Sequence, residues 1–132
     1  MLAGRRLDLV ILDGRLAACR LGPAEGLPAW ATGGGFVSIT RTADELSVVC
    51  PESSVPEGVR AERGWRSLRV SGVLDFSLVG VLGSLAVPLA RSGIGIFVVS
   101  TFDTDYLLVK EVDLARAVEA LVADGHAITG PA

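Results

Sequence analysis

The chain has 132 residues, 50% of them apolar and 20% charged, which suits one ordinary domain or two very small ones and excludes global disorder. Its net charge is −3. The basic residues are arginines apart from Lys110, and they are scattered rather than clustered, which speaks against a nucleic-acid surface. Cys19 and Cys50 sit in apolar runs without a CxxC pair or a histidine cluster, so they read as buried free thiols of a cytoplasmic protein. The apolar stretch near the start is short and interrupted by Asp8, so no secretory signal is expected. A long uncharged stretch runs from Phe76 to Ala90 and contains Gly80, Gly83 and Pro88. It falls short of the roughly 20 apolar residues of a spanning helix and reads as a core helix, with no membrane partner.

In chain order, Leu7 to Leu12 predicts a strand, Asp13-Gly14 a hairpin turn, and Arg15 to Leu21 the returning partner. Pro23 and Glu25 suit a first helical turn that Gly33-Gly34-Gly35 ends, leaving room for a short helix carrying Trp30. "FVSITRT" and "ELSVVCPE" alternate with period two and read as strands. "SSVPEGVRAERG" reads as a polar loop or linker. "WRSLRVSGVLDF" alternates again, with Trp65, Leu68, Val70 and Gly72 on one face. Leu78, Leu82, Leu85 and Leu89 recur at helical spacing, with Ser77 as N-cap, Gly93 as C-cap and a kink at Pro88. "GIFVVS" is continuous and β-rich and predicts a strand at the sheet centre, with "DYLLVK" pairing back. "EVDLARAVEALVADG" is an amphipathic helix that Gly125 ends, and "HAI" is a last short strand.

The second half thus reads β-α-β-β-α-β, the ferredoxin-like order. "TADELSVVCPE" can be laid on "TFDTDYLLVKE" without a gap, so that Thr42 falls on Thr101, Asp44 on Asp103 and the closing Glu52 on Glu111. Matching strand-turn-strand patterns on either side point to an internal duplication.

"VLDFSLVGVL" and "STFDTDYLLV" carry a resemblance to the ACT-domain family of small amino-acid-sensing modules. More narrowly, the chain resembles the tandem ACT proteins related to the cytosolic arginine sensors of animals. The resemblance covers Trp65 to about Gly125 well, and a shorter first unit over Gly35 to Glu52. It implies an α+β fold of two tandem ferredoxin-like (βαββαβ) ACT units, antiparallel sheets with helices on one face. The first unit, residues 1–62, would be degenerate, and residues 63–132 would form the full ACT domain. It also implies homodimerisation and a ligand between the first strand-helix loop and the edge of the second strand. Those positions are Asp75, Phe76, Ser77, Val79 and Gly80, then Thr101, Phe102, Asp103 and Asp105. In the arginine-sensor relatives an "STF-x-x-D" stretch touches the ligand, and Ser100-Thr101-Phe102 with Asp105 reproduces it.

A free amino acid presents an ammonium, a carboxylate and a side chain. The turn from Ser77 to Gly80 opens a helix whose N–H groups suit the carboxylate, and Gly80 permits close approach. Asp103 or Asp105 suits the ammonium or a cationic side chain, and Phe102 suits an aliphatic stem. The two carboxylates favour a cationic or polar amino acid. Each residue also has a plainer reading: Asp103 as turn chemistry, Asp105 as a solvated or Arg-paired strand start, Asp75 and Ser77 as cap residues, Thr101 and Phe102 as strand and core. Trp30 reads as a lid over the first sheet and Trp65 as a core or interface anchor.

Catalysis is not expected. His126 is the sole histidine and has no nucleophile motif beside it. The triple glycine precedes a strand and no Lys follows, so it is no phosphate loop. No metal cluster and no cofactor are expected. The sensor reading competes with a ligand-free ACT-like interaction module that acts on a protein partner through dimerisation or strand-edge pairing.

Overall fold

The computed structural model describes residues 6–74 and 79–131. Two compact units emerge. One comprises Gly14–Trp65; the other joins the residues up to Asp13 with those from Arg66 onward. They are called the inserted and the outer unit below.

The strands are β1 (Asp8–Ile11), β2 (Leu16–Leu21), β3 (Ser38–Arg41), β4 (Leu46–Pro51), β5 (Ala61–Val70), β6 (Ile96–Ser100), β7 (Asp105–Lys110) and β8 (Ala127–Thr129). The helices are α1 (Val81–Arg91) and α2 (Leu114–Ala123). Single 3-10 turns stand at Ala29–Thr32, Glu52–Ser54 and Glu111–Asp113.

In the inserted unit the order is β3-β4-β2 and then the first half of β5, all antiparallel. Apolar residues two apart on β2 and β4, Ala17 and Cys19 against Leu46, Val48 and Cys50, form its core with Ala31 and Val55. Trp30, carried by the 3-10 turn Ala29–Thr32, packs against this cluster as a lid. Two 3-10 turns stand where a complete unit would carry helices, so the unit is degenerate.

In the outer unit the order is β6-β7, the second half of β5, β1 and β8. Leu68 and Val70, Leu107 and Val109, and Leu9 and Ile11 face α1 through Leu85 and Leu89, and α2 through Leu114, Ala117 and Leu121. Both helices therefore cover one face of the sheet, as a ferredoxin-like unit requires. Each ends in the same way. Gly93 and Gly125 take left-handed φ of 71° and 98°. The next N–H reaches back five residues, Ile94 to Leu89 O and His126 to Leu121 O, both at 3.0 Å.

Four sequence expectations need correction. Asp13-Gly14 does not close a hairpin. β1 and β2 do not pair with each other; β1 is antiparallel to β5 at Leu68–Val70 and β2 is antiparallel to it from Ala61 to Trp65. An Asp-Gly turn bends the chain equally well, and the ten-residue β5 supplies the partner that each short strand lacks. "SSVPEGVRAERG" is not loop throughout, because Ala61–Gly64 opens β5. α1 begins after Gly80, which takes the N-cap position expected for Ser77. Finally, β6 does not lie at the sheet centre: among the described residues it pairs with β7 alone and forms an edge, while β8 runs parallel to β1 from Asp8↔Ala127 to Val10↔Thr129.

The duplication is visible in geometry. The gapless alignment that lays Thr42 on Thr101 also lays the bounds of β4 on those of β7, and the 3-10 turn Glu52–Ser54 on Glu111–Asp113. Thr42 and Thr101 each bind the residue three further on: Thr42 N–H to Glu45 O at 2.9 Å and Thr101 N–H to Thr104 O at 2.8 Å. The closing glutamates meet arginines of the preceding strand register, Arg15 with Glu52 at 3.1 Å and Arg66 with Glu111 at 3.6 Å. Equally far beyond each arginine another bond repeats, Arg20 N–H to Arg60 O and Ser71 N–H to Asp8 O. The first strands thus correspond as Arg15 to Arg66 and Arg20 to Ser71.

Candidate functional site

The candidate site lies in the outer unit, where the tip of the β6–β7 hairpin meets the segment that follows β5. β6 and β7 pair from Ile96↔Val109 to Ser100↔Asp105, and that last pair opens into the tip. The Thr101 hydroxyl closes the turn: it donates to Thr104 O at 3.1 Å and accepts the Thr104 N–H at 3.3 Å. A Thr here closes the turn with both its hydroxyl and its backbone.

Two bonds fasten this tip to the end of β5. The buried Thr104 hydroxyl donates to Val70 O at 2.8 Å. Leu74 N–H donates to Asp103 O at 2.6 Å. The Asp103 backbone is therefore held against Leu74, just before Asp75. Asp103 and Phe102 are exposed, Phe102 at 78%, while Asp105 is half-buried at the start of β7. The plain core reading of Phe102 is excluded by that exposure. Thr101 is likewise exposed at the tip.

Of the loop half, Asp75, Phe76 and Ser77 lie outside the described residues. Val79 is 78% exposed and Gly80 adopts a left-handed φ of 84° as the N-cap of α1. Among the described residues no side chain caps that helix end, and glycine itself brings no capping oxygen to the first-turn N–H groups. The first intrahelical bond runs from Ser84 N–H to Gly80 O at 2.9 Å. Apolar Val73 and Val79 stand exposed on either side of the 75–78 segment. The chain therefore brings together Asp103 and the start of the loop, and it sets Gly80 at the head of α1.

Sequence reasoning missed Thr104 and Leu74. A hydroxyl in a turn carries no signal that it will be buried, and a leucine is not chosen for its N–H. Thr104 had one available hint, its match to Glu45 at the closing position of the repeated turn.

His126 has a structural part. It is buried between Leu7 N–H, which donates to Nδ1 at 3.0 Å, and Ser84 O, 3.0 Å from Nε2. Nδ1 accepts, so the ring proton sits on Nε2 and is given to Ser84 O. Both ring nitrogens are thereby engaged in tying the start of the chain to α1. Cys19 and Cys50 lie on the same face of adjacent strands in the core of the inserted unit. Burial pushes the Cys19 thiol up to about 11, with its neighbour Cys50 adding to the rise, and burial raises Cys50 also. Such thiols are poor nucleophiles and poor ligands at neutral pH. Among the described residues no group of three or more His, Cys, Asp or Glu is placed to hold a metal ion.

The fold and the repeated hairpin tips define an α+β protein made of two ferredoxin-like units, one complete and one reduced. Residues 60–123 match the family model of the ACT domain, and residues 14–58 match a model of an N-terminal domain. A protein of Agrobacterium tumefaciens, known from its crystal structure, is 46% identical and superposes with a TM-score of 0.92 over 98% of this chain and 96% of that one. The chain thus carries an ACT domain over residues 60–123. The ligand-free regulatory subunit of aspartate kinase from Thermus thermophilus shares the fold, with a TM-score of 0.61 at 12% identity over 89% of this chain and 96% of that one. The human cytosolic arginine sensor for mTORC1 subunit 1 is 36% identical over 58 residues, 43% of this chain. That match spans only 18% of the sensor's own length.

Proposed function

We infer that this is a non-catalytic regulatory protein that binds a free amino acid between the loop at 75–80 and the strand edge at 100–105. The observation that carries the reading is the fastening of the hairpin tip to the end of β5 by Thr104 and Leu74, with a helix N-terminus headed by glycine a few residues on. A zwitterion needs acceptors and donors facing one space. Asp103 and Asp105 supply carboxylates for the ammonium or for a cationic side chain. The α1 N-terminus supplies N–H groups and a positive dipole end for the ligand carboxylate. Phe102, Val73 and Val79 are exposed apolar groups suited to covering an aliphatic stem.

The human relative is a cytosolic arginine sensor, which agrees with a cationic ligand, and the aspartate kinase subunit is a regulatory part of its enzyme. No described helix is long and apolar enough to cross a membrane, and a cytoplasmic place fits the reading. The division expected from the sequence, a reduced unit over 1–62 and the ligand-binding unit over 63–132, is retained as the functional division. The start of the chain then contributes β1 to the ligand-binding unit's sheet. Amide chemical shifts under titration with amino acids test the site. The reading expects perturbations concentrated at residues 71–74, 79–84 and 100–105; shifts confined to the inserted unit would overturn it.

The second reading is an ACT-like module without a ligand, working through dimerisation or strand-edge pairing with a protein partner. The observation in its favour is β6, an outer strand with half-buried Ile96, Phe97 and Val98.

A further inference from the structure

The duplication gives the inserted unit its own counterpart of the candidate site, and there the chain's arginines occupy it. The tip Thr42-Ala43-Asp44-Glu45 corresponds to Thr101-Phe102-Asp103-Thr104, and the segment after β2 corresponds to the segment after β5. In the outer unit a hydroxyl and a backbone amide join tip to segment. In the inserted unit two guanidinium groups do so. Arg41 donates from Nη1 to Pro23 O at 2.6 Å, from tip to segment. Arg20 donates from Nη2 to Asp44 O at 3.0 Å, from strand to tip. In the outer unit Ser100 stands at the place of Arg41, just before the tip threonine, and Ser71 at the place of Arg20. Serine side chains are too short to span the same gap.

We propose that the inserted unit keeps the geometry of a cation site and that Arg20 and Arg41 are its built-in occupants, so that shortening both to serine opens a site for a small guanidinium compound. The chemistry follows from what the arginines touch. Their acceptors, Pro23 O and Asp44 O, are backbone carbonyls on two different segments, each taken by one guanidinium, and a planar fork of five N–H donors suits such spread acceptors better than a point-charge ammonium. The carboxylates of the exposed Asp44 and the half-buried Glu45 at the tip favour a cation there.

The proposal stands apart from the reading of the outer unit, and its test is arranged to keep the two separate. Arg20→Ser and Arg41→Ser are introduced together on an Asp105→Ala parent, in which the outer tip is already impaired. The probe is methylguanidinium at millimolar concentration, with methylammonium as the control of equal charge. The expected result is a lower melting midpoint for the serine variant than for its parent. Methylguanidinium then raises it saturably, methylammonium does not, and the parent does not respond. Absence of recovery, or equal shifts in parent and variant, would overturn the proposal. Should the double substitution fail to fold, Arg41→Ser alone on the same parent carries the same comparison, read as amide shifts at Gly22, Ala24 and Asp44 on adding methylguanidinium.

Discussion

Asp105 and the cysteine pair make the sharpest claims about single residues. Asp105 begins β7, half-buried and opposite Ser100, so it stands at the edge of the tip without being sealed from solvent. Asp105→Ala should weaken amino-acid binding about tenfold or more, the loss of one charge-assisted hydrogen bond worth about 1.5–3 kcal/mol. Calorimetric titration measures it; unchanged affinity would remove Asp105 from the site. The cysteines give a pH prediction with a definite sign. A thiol whose folded-state pKa lies above its unfolded value keeps its proton in the fold after the unfolded chain has released it. Folding stability should therefore be level below pH 9 and fall as pH rises from 9 toward 11. Urea unfolding across that range should show the fall in the parent and a smaller one in Cys19→Ala. Equal profiles would mean that the buried thiols do not set it.

At the scale of elements, the fastening of the β6–β7 tip to the end of β5 is what brings two separate sequence segments together. Thr104→Val keeps the shape and removes the hydroxyl that satisfies Val70 O in a buried place. Leaving that carbonyl without its donor should cost about 1–3 kcal/mol, measurable by denaturant unfolding. The same variant should lose ligand affinity, because the tip is no longer pinned beside Leu74. A variant with native stability and native affinity would show that the bond does not organise the site. Much of this level was legible in the sequence. Period-two alternation located β3, β4 and the second half of β5, a continuous β-rich run located β6 with β7 pairing back, and the helical period located α1 and α2, because each buries one face against a core. The errors arose where partner choice decided. Asp13-Gly14 carries the local chemistry of a hairpin, yet β1 and β2 both find β5 instead, and pairing is a tertiary matter that no local signal encodes. Ala61–Gly64 looked like linker because charged and small residues dominate it; it becomes strand because β2 needs a neighbour.

For the whole molecule, the repeat was legible as three coincident residues at one spacing, and its geometry now extends to strand bounds, turn bonds and Arg–Glu pairs. The candidate site was legible only by resemblance, since Thr101, Phe102 and Asp103 have ordinary turn and strand explanations taken singly. Assembly is the next level. Both units end in exposed strands, β3 and β6, and β6 carries half-buried apolar side chains on an outer edge. A homodimer at micromolar concentration is the expected state, and sedimentation velocity checks it; a monomer would leave strand-edge pairing without support.

The central claim is that the outer unit holds a free amino acid. A thermal-melt panel with the twenty amino acids at millimolar concentration tests it most directly. A ligand present at 100 times its dissociation constant adds about 2.7 kcal/mol of stability, which should raise the midpoint of a chain of this size by roughly 4 °C or more. One or two responders, cationic or polar, with the response lost in Asp105→Ala, is the predicted result. A flat panel would contradict amino-acid binding and leave the ligand-free interaction module as the account of this fold.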